Sequence, residues 1–250
     1  MNTADIFAHA TTTGGHAHAT TTGNDAHATT TGDFARATTT GNDAHALTAG
    51  YSAHAATTGD YAHSATTGQR AHATTTGQRA HSATTGYSAH ATTTGDYSRA
   101  STAGYYAHAT TAGDYAHATT TGGHAHATTT GNDAHATTTG HFSCATTTGG
   151  HAHATTTGND AHALTAGNYA HALTAGARAK TSATGENSIA AAFGANSAAR
   201  AADGGFIVLA QYSPDGDTVV AVKTAQVGKD AIKPDTWYKL SPTGEFVEAE

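Results

Sequence analysis

Histidine recurs at nine-residue intervals along most of this chain and is the residue type best suited to chemistry. Two or three imidazoles can share one zinc ion, and the candidate ligands for such an ion are His9, His27, His45 and His63. The alternative is a solvent-facing rank of side chains with no coordination geometry to keep. That alternative explains why other residue types replace histidine in the same series, at Arg36, Arg99, Cys144 and Lys180. We therefore favour it, and we expect no bound metal and no cofactor.

Threonine follows many of these histidines in pairs separated by one residue, as in Thr20 and Thr22. A regular array of exposed threonines on a flat surface would suit an ice-binding face. Threonine also simply suits exposed strands, and the array is interrupted by Leu47, Ala49 and Leu164. An ice- or metal-binding protein is therefore an alternative to the function we favour.

Tyrosine is concentrated in the two residues that follow each repeated glycine. Exposed aromatic side chains often anchor protein contacts, so a stripe of them would suit a partner or a second copy of the chain, although they could equally pack at a corner. The candidate surface-binding residues are Tyr61, Tyr97, Tyr106 and Tyr115.

Catalytic signatures are missing from the sequence. Catalysis usually needs a unique, irregular set of side chains in a pocket, whereas this chain repeats the same side chains. The single cysteine, Cys144, takes the place of a histidine in the series and has no orienting group beside it. We expect that the protein is not an enzyme and has no catalytic residues.

The elements that position these side chains follow from a nine-residue repeat. Glycine recurs every nine residues from Gly14 to Gly194, within the consensus Ala-His-Ala-Thr-Thr-Thr-Gly-x-x, whose first copy starts at Ala8. Positions 1, 3 and 5 hold only small residues and positions 2, 4 and 6 vary, which is the period-two pattern of a strand. The pattern predicts a strand over positions 1 to 6, with positions 1, 3 and 5 inward, a turn at the glycine and a corner at positions 8 and 9.

Nine residues are too few for a roomy closed coil, so we expect two repeats in each coil. The predicted fold is all-β: a parallel β-solenoid (a β-roll) with two nine-residue repeats per coil and coils about 4.8 Å apart. Its interior would hold only Ala and Thr, and the inward Thr hydroxyls would need hydrogen-bond partners, which a Thr ladder or the turn backbone could supply.

The chain divides by composition into three segments. Residues 1–7 include Ile6 and Phe7 and are predicted to form an N-terminal cap. Residues 8–205 are the repeat solenoid. Residues 206–250 form a small C-terminal β module, with strands at 206–212 and 218–224 around a Pro-Asp-Gly turn, and at 237–240 and 245–248 around a second turn. We expect this module to dock on the last coil or to mediate assembly.

Charge and hydrophobicity exclude several partners. The formal net charge is −7, with only 11 Lys and Arg in 250 residues, which is a poor phosphate-binding footprint; we expect no nucleic-acid partner. No apolar run approaches the roughly 18 residues of a membrane span. No secretion signal is visible at residues 1–7, and the lone cysteine excludes an internal disulfide.

The skeleton G-x-x-A-x-A, seen in Gly113-Asp-Tyr-Ala-His-Ala118, resembles the head repeats of YadA-type trimeric autotransporter adhesins. Those heads are parallel β-rolls, so the resemblance implies a β-roll and, by analogy, a trimer. It covers Ala8 to about Gly194 and carries no adhesin function. The overall layout, including the segments Gly204–Ala210 and Ile232–Leu240, is similar to nonapeptide-repeat proteins of bacteriophages and prophages.

The function most compatible with these patterns is a non-catalytic structural or interaction protein that presents a long repetitive surface. We expect it to self-associate, to be phage-encoded, and to be cytoplasmic or virion-associated. The alternative is a monomeric solenoid that binds a ligand or a host protein.

Overall fold

The computed structural model describes residues 7–229 and 231–249, so the predicted N-terminal cap lies outside the described residues except for Phe7. Every regular element within these ranges is a β-strand. The chain divides between Thr129 and Thr130 into two compact units, which are described one at a time.

The first unit contains one five-residue strand per repeat. Its last strand, β14, ends one residue into the second unit. The strands are β1 (His9–Thr13), β2 (His18–Thr22), β3 (His27–Thr31), β4 (Arg36–Thr40), β5 (His45–Ala49), β6 (His54–Thr58), β7 (His63–Thr67), β8 (His72–Thr76), β9 (His81–Thr85), β10 (His90–Thr94), β11 (Arg99–Ala103), β12 (His108–Ala112), β13 (His117–Thr121) and β14 (His126–Thr130).

The second unit begins with the same kind of strand and ends with two longer strands followed by two short ones. Its strands are β15 (His135–Thr139), β16 (Cys144–Thr148), β17 (His153–Thr157), β18 (His162–Ala166), β19 (His171–Thr174), β20 (Lys180–Ala183), β21 (Ile189–Ala192), β22 (Ala198–Ala201), β23 (Phe206–Tyr212), β24 (Val219–Gln226), β25 (Tyr238–Leu240) and β26 (Phe246–Glu248).

Odd-numbered and even-numbered strands form separate parallel sheets within each unit. In the first unit the orders are β1-β3-β5-β7-β9-β11-β13 and β2-β4-β6-β8-β10-β12-β14. Each strand pairs with the strand two repeats on, so residues 18 apart lie side by side, as His9 and His27 do. The prediction of an all-β parallel solenoid with two repeats per coil is confirmed.

The predicted alternation is also confirmed. Positions 1, 3 and 5 face the interior, where Ala26, Ala28 and Thr30 are 0, 0 and 1% exposed. Positions 2, 4 and 6 face outward, as in β3, until the last repeats, where the position-4 residues Ser182 and Ala191 are buried. Because the inward residues are Ala and Thr, the two sheets can approach closely, and the backbone hydrogen-bond ladders carry much of the cohesion.

Many corners depend on their glycine for two reasons, as Gly59 shows. Gly59 has a φ of 146°, a conformation that L side chains rarely adopt. A Cβ at this position would lie 2.0 Å from the carbonyl oxygen of Gly41, one coil earlier. Position 9 then adopts the left-handed conformation even when it is bulky, as at Phe34 and Tyr61 with φ of 57° and 59°. The corner is therefore held in a strained shape by the ladders on both sides of it.

Most inward threonine hydroxyls lack the hydrogen-bond partners expected from the sequence. Fifteen of the sixteen buried side-chain oxygens without a hydrogen-bond partner among the described residues are position-5 Thr hydroxyls, and the sixteenth belongs to Ser98. An inward hydroxyl of the next repeat supplies a partner in some cases, as for Thr75 Oγ1 and Ser82 Oγ at 2.6 Å, but Thr93 and Ser98 do not pair. The expected Thr ladder does not form, because in-register strands place like hydroxyls about 4.8 Å apart, beyond hydrogen-bond distance.

The C-terminal hairpins extend both sheets of the second unit. Strand β23 pairs in parallel with β21 and continues the odd-numbered sheet, and β24 then turns antiparallel to β23. Strand β25 meets β22 antiparallel through Tyr238 and Ala199, and β26 follows it. Ile207, Leu209 and Val227 are almost fully buried, so larger apolar side chains replace Ala and Thr in the core at this end.

Candidate functional site

The outward histidines of each sheet form stacked ladders in the first unit. On the odd-numbered sheet, the rings of His9, His27, His45, His63 and His81 have centroids 4.7–4.9 Å apart and nearly parallel planes. The even-numbered sheet carries a matching ladder with spacings of 4.8–4.9 Å, made by His54, His72, His90, His108 and His126. The parallel register imposes this stacking, because it superimposes identical side chains in successive coils.

Stacking makes the proposed ligand set His9, His27, His45 and His63 a poor chelate. Two nitrogens that share a zinc ion must lie roughly 3.3 Å apart, with lone pairs that converge on the metal. Lone pairs of imidazole lie in the ring plane, and the His27 and His45 planes differ by only 4° at 4.7 Å. No group of three or more His, Cys, Asp or Glu side chains within the described ranges is placed to hold a metal ion.

The ladders favour neutral imidazole. Burial lowers the pKa of His72 below its ordinary value of 6.5, and the neighbouring His54 lowers it further. Burial followed by the charge of His81 lowers the pKa of His63 in the same way, while Asp43 opposes them. A proton added to one ring is therefore disfavoured by the rings stacked against it.

Cationic residues within the ladders reinforce this effect, and burial shifts the Cys144 thiol toward its neutral form. After burial, the charge of Arg99 lowers the pKa of His81, and Arg36 acts likewise on His54. Burial raises the pKa of the Cys144 thiol, although its contact with the Thr146 hydroxyl at 3.6 Å opposes the shift. A thiol with a raised pKa is a weak nucleophile at neutral pH.

Three of the four candidate tyrosines lie together at one corner. Tyr61, Tyr97 and Tyr115 occupy position 9 in turns that lead from an even-numbered to an odd-numbered strand, and Tyr97 stacks on Tyr115 at 4.9 Å. Arg79 fills the gap, with its guanidinium carbon 5.5 Å from the Tyr61 ring centre and 5.7 Å from that of Tyr97. We call Tyr61, Arg79, Tyr97 and Tyr115 the Tyr61 file.

Tyr106 lies elsewhere. It sits in the turn between β11 and β12, at the opposite corner, and packs against Tyr87, Tyr105 and His124. Successive turns alternate between the two corners of the coil. Tyr106 is an odd number of repeats from Tyr61 and so lies at the other corner, whereas Tyr97 and Tyr115 are an even number of repeats away and share its corner. The sequence interpretation missed Arg79, although the same rule places it 18 residues from both Tyr61 and Tyr97.

A surface groove runs beside the Tyr61 file. Positions 9 and 2 of successive repeats are separated by one inward residue, so their side chains project to the same side. The groove has a volume of about 320 Å³ and is lined by Tyr61, His63, Arg79, His81, Tyr97 and Arg99. A second groove of about 280 Å³ has the same construction at the opposite corner and is lined by His16, His18, Phe34, Arg36, Ser52 and His54.

Comparison with protein-family models, curated proteins and solved structures finds no match to this chain. Within the described residues there is no helix that could span a bilayer. The site must therefore be interpreted from its own geometry.

Proposed function

We propose that this protein is a non-catalytic structural component that associates with further copies of itself through the outward faces of its sheets. The observation that carries the proposal is the parallel sheet with an open face. Parallel sheets are almost always covered on both sides. Within each unit the Ala and Thr interior covers one face, and the His and Thr face lies outward. A second copy of the chain would supply the missing cover.

An apolar patch on the odd-numbered sheet of the first unit supports this contact. Leu47 is 44% exposed, and with Ala49 and Ala65 it borders a groove of about 220 Å³. The neighbouring positions are Thr, whose methyl groups add apolar area. Because the face repeats with each coil, a contact made once can be made again along the sheet, which multiplies a weak interaction.

Our proposal of a non-catalytic role draws support from the groove at the C-terminal end of the second unit. The groove beside the C-terminal hairpins, of about 290 Å³, has one carboxylate in its lining, Asp215. A hydrogen bond from Ser213 lowers the pKa of that carboxyl group, which suits it poorly for general acid–base work near neutral pH.

The resemblances described above belong to the same proposal. The likeness of the G-x-x-A-x-A skeleton to YadA-type heads implies a trimer. The likeness of the layout to repeat proteins of bacteriophages and prophages implies no known activity, and with it we propose only that the chain is phage-encoded.

Solution mass tests self-association. Light scattering on a sizing column at pH 7.5 should give a fixed multiple of 24.9 kDa that does not change with chelator. Thr74→Lys together with Thr92→Lys places charges on an outward face of the first unit and should lower the mass. The matched control is Gln69→Lys, a corner position exposed to solvent, which should leave it unchanged. A monomer at every accessible concentration would overturn the proposal and leave the faces free for a ligand or host protein.

An ice-binding face is a second candidate, favoured by one observation. On the even-numbered sheet of the first unit, positions 4 and 6 form two parallel files that are Thr in both positions in β2, β4, β8 and β10. Thermal hysteresis in the wild type, lost in the variant carrying Thr74→Lys and Thr92→Lys, would support this function. Absence of hysteresis at millimolar protein would exclude it.

A further inference from the structure

The groove beside the Tyr61 file concentrates hydrogen-bond donors from both of its walls. Arg79 lies in the corner wall, between Tyr61 and Tyr97, and Arg99 lies in the strand wall, one coil further on. Arg99 pairs in register with His81, which stacks on His63 at 4.9 Å. Arg79 and Arg99 therefore both line the groove, one from the corner and one from the strand.

Neither guanidinium has an acidic partner. Among the described residues, no carboxylate lies within 4.0 Å of the guanidinium nitrogens of Arg79 or Arg99. The nearby carboxylates of Asp60 and Asp96 accept backbone N–H groups of the next coil, at 2.9 Å from Gln78 and 3.0 Å from Asp114.

Arg79 is nevertheless held in place. Its Nη1 donates to the Tyr61 hydroxyl at 2.5 Å, and the two flanking rings sandwich the guanidinium. These contacts reduce the side-chain entropy that a ligand would otherwise have to remove on binding. They also leave guanidinium donors unsatisfied, because the Arg79 side chain makes one hydrogen bond to the described residues.

We propose that this groove binds a tetrahedral oxyanion group, a sulfate or phosphate ester carried by a larger ligand. The planar guanidinium group of arginine can donate two parallel hydrogen bonds to such oxygens. A tetrahedral group also offers acceptors to both walls of the groove at once. A volume of about 320 Å³ exceeds that of a single ion, so part of the ligand beyond the oxyanion also lies in the groove. The strand wall of this groove belongs to the outward face of the odd-numbered sheet, so the groove lies at the edge of a face proposed for self-association, and the two proposals are tested separately.

The groove at the opposite corner, beside Phe34 and Arg36, allows a comparison within the same protein. It has the same construction but contains one guanidinium, that of Arg36, and its corner wall carries His16 and Phe34, whose stacked rings replace the sandwiched arginine. The proposal therefore predicts one tighter and one weaker site within the same unit.

Equilibrium dialysis with radiolabelled inorganic sulfate, and in a second arm inorganic phosphate, tests the proposal on the full-length protein at low ionic strength and pH 7.5. Saturable binding with one tighter site is expected. The arm that binds more tightly distinguishes a sulfated from a phosphorylated ligand. Arg99→Gln should weaken the tighter site about tenfold, as expected for loss of a charge-assisted hydrogen bond, and adding Arg79→Gln should weaken it further. Arg36→Gln is the matched control and should leave the tighter site unchanged.

Several results would overturn the proposal. These are non-saturable binding of both anions, an unchanged dissociation constant in the Arg99→Gln variant, or an equal loss in the Arg36→Gln variant. Because Arg99 makes none of the stacking contacts that hold Arg79, its variant should keep the wild-type melting temperature. The oligomeric mass is measured on the same samples, so failure of self-association and failure of anion binding are distinguished.

Discussion

Threonine at position 5 shows how little the interior of this protein uses its polar atoms. The hydroxyl of Thr93 is buried and makes no hydrogen bond to the described residues, whereas that of Thr75 bonds Ser82. A buried hydroxyl without a partner costs stability. The β-branched shape of threonine, by contrast, suits strands and the narrow space between the sheets. The packing therefore depends on the shape of the side chain more than on its hydroxyl group.

Replacing such a hydroxyl with a methyl group should stabilise the protein. Thr93→Val keeps the branched shape and removes an unsatisfied polar atom, so we expect stability to rise by about 1 kcal/mol, which raises the melting temperature by about 2–4 °C for a chain of this size. Thr75→Val is the control, and it should be neutral or destabilising because it removes the bond to Ser82. Thermal melts followed by circular dichroism measure both. A lower melting temperature for Thr93→Val than for Thr75→Val would contradict this account.

At the scale of the element, each parallel strand adds one ring to a ladder whose stability depends on protonation. Burial and then neighbouring rings lower the pKa of His72, His90 and His108 in the fold. The unfolded chain keeps the ordinary value of 6.5. The folded protein therefore binds fewer protons than the unfolded chain once the pH falls below that value.

Acidification should weaken the ladders. Stability from the neutral rings is fully present above about pH 6.5 and is lost progressively as the pH falls through the lowered folded values, because the unfolded state then binds more protons. We expect the melting temperature to fall by several degrees between pH 7.5 and pH 5.

A variant with Gln in place of His54, His72, His90 and His108 separates this effect from titration of the carboxylates. It should show a smaller drop over the same range. A melting temperature that is constant from pH 7.5 to pH 5, or an equal drop in both proteins, would refute the role of the ladders.

At the scale of the whole molecule, the chain behaves as a series of interchangeable coils. Each inner strand of the first unit pairs with strands 18 residues away in both directions, as β10 does with β8 and β12. Stability in such arrays is approximately a sum over coils and their neighbours. A whole coil can therefore be removed from the chain, provided that the deletion is 18 residues long and so keeps the register of the strands.

Deleting residues 63–80 removes one coil and joins Ala62 to His81 in the same repeat position. The shortened protein should keep its strand content and lose only a few degrees of melting temperature. Deleting residues 63–81 removes one residue more and shifts the alternation, which turns inward Ala and Thr outward. That variant should melt much earlier, as measured by far-UV circular dichroism. Equal stability of the two deletions would show that register does not govern the fold.

The local pattern of the sequence predicted much of this molecule. The glycine period, the small residues at positions 1, 3 and 5 and the outward His and Thr all follow from alternation within one strand, which is a local property of the backbone. The coil of two repeats followed from the cramped geometry of nine residues. The same information, counted by parity, would also have separated Tyr106 from Tyr61.

Only the tertiary structure decided what the aligned residues do to one another. Stacking in register makes the histidines parallel rather than convergent, places Arg79 between Tyr61 and Tyr97, and leaves Thr hydroxyls such as that of Thr93 beyond reach of a partner. It also places the C-terminal hairpins as further strands of the two sheets. The physical reason is that these relations join residues 18 or more apart. The distances between such residues depend on how two repeats close into a coil and on how far successive coils are apart, and neither quantity can be deduced from a single repeat.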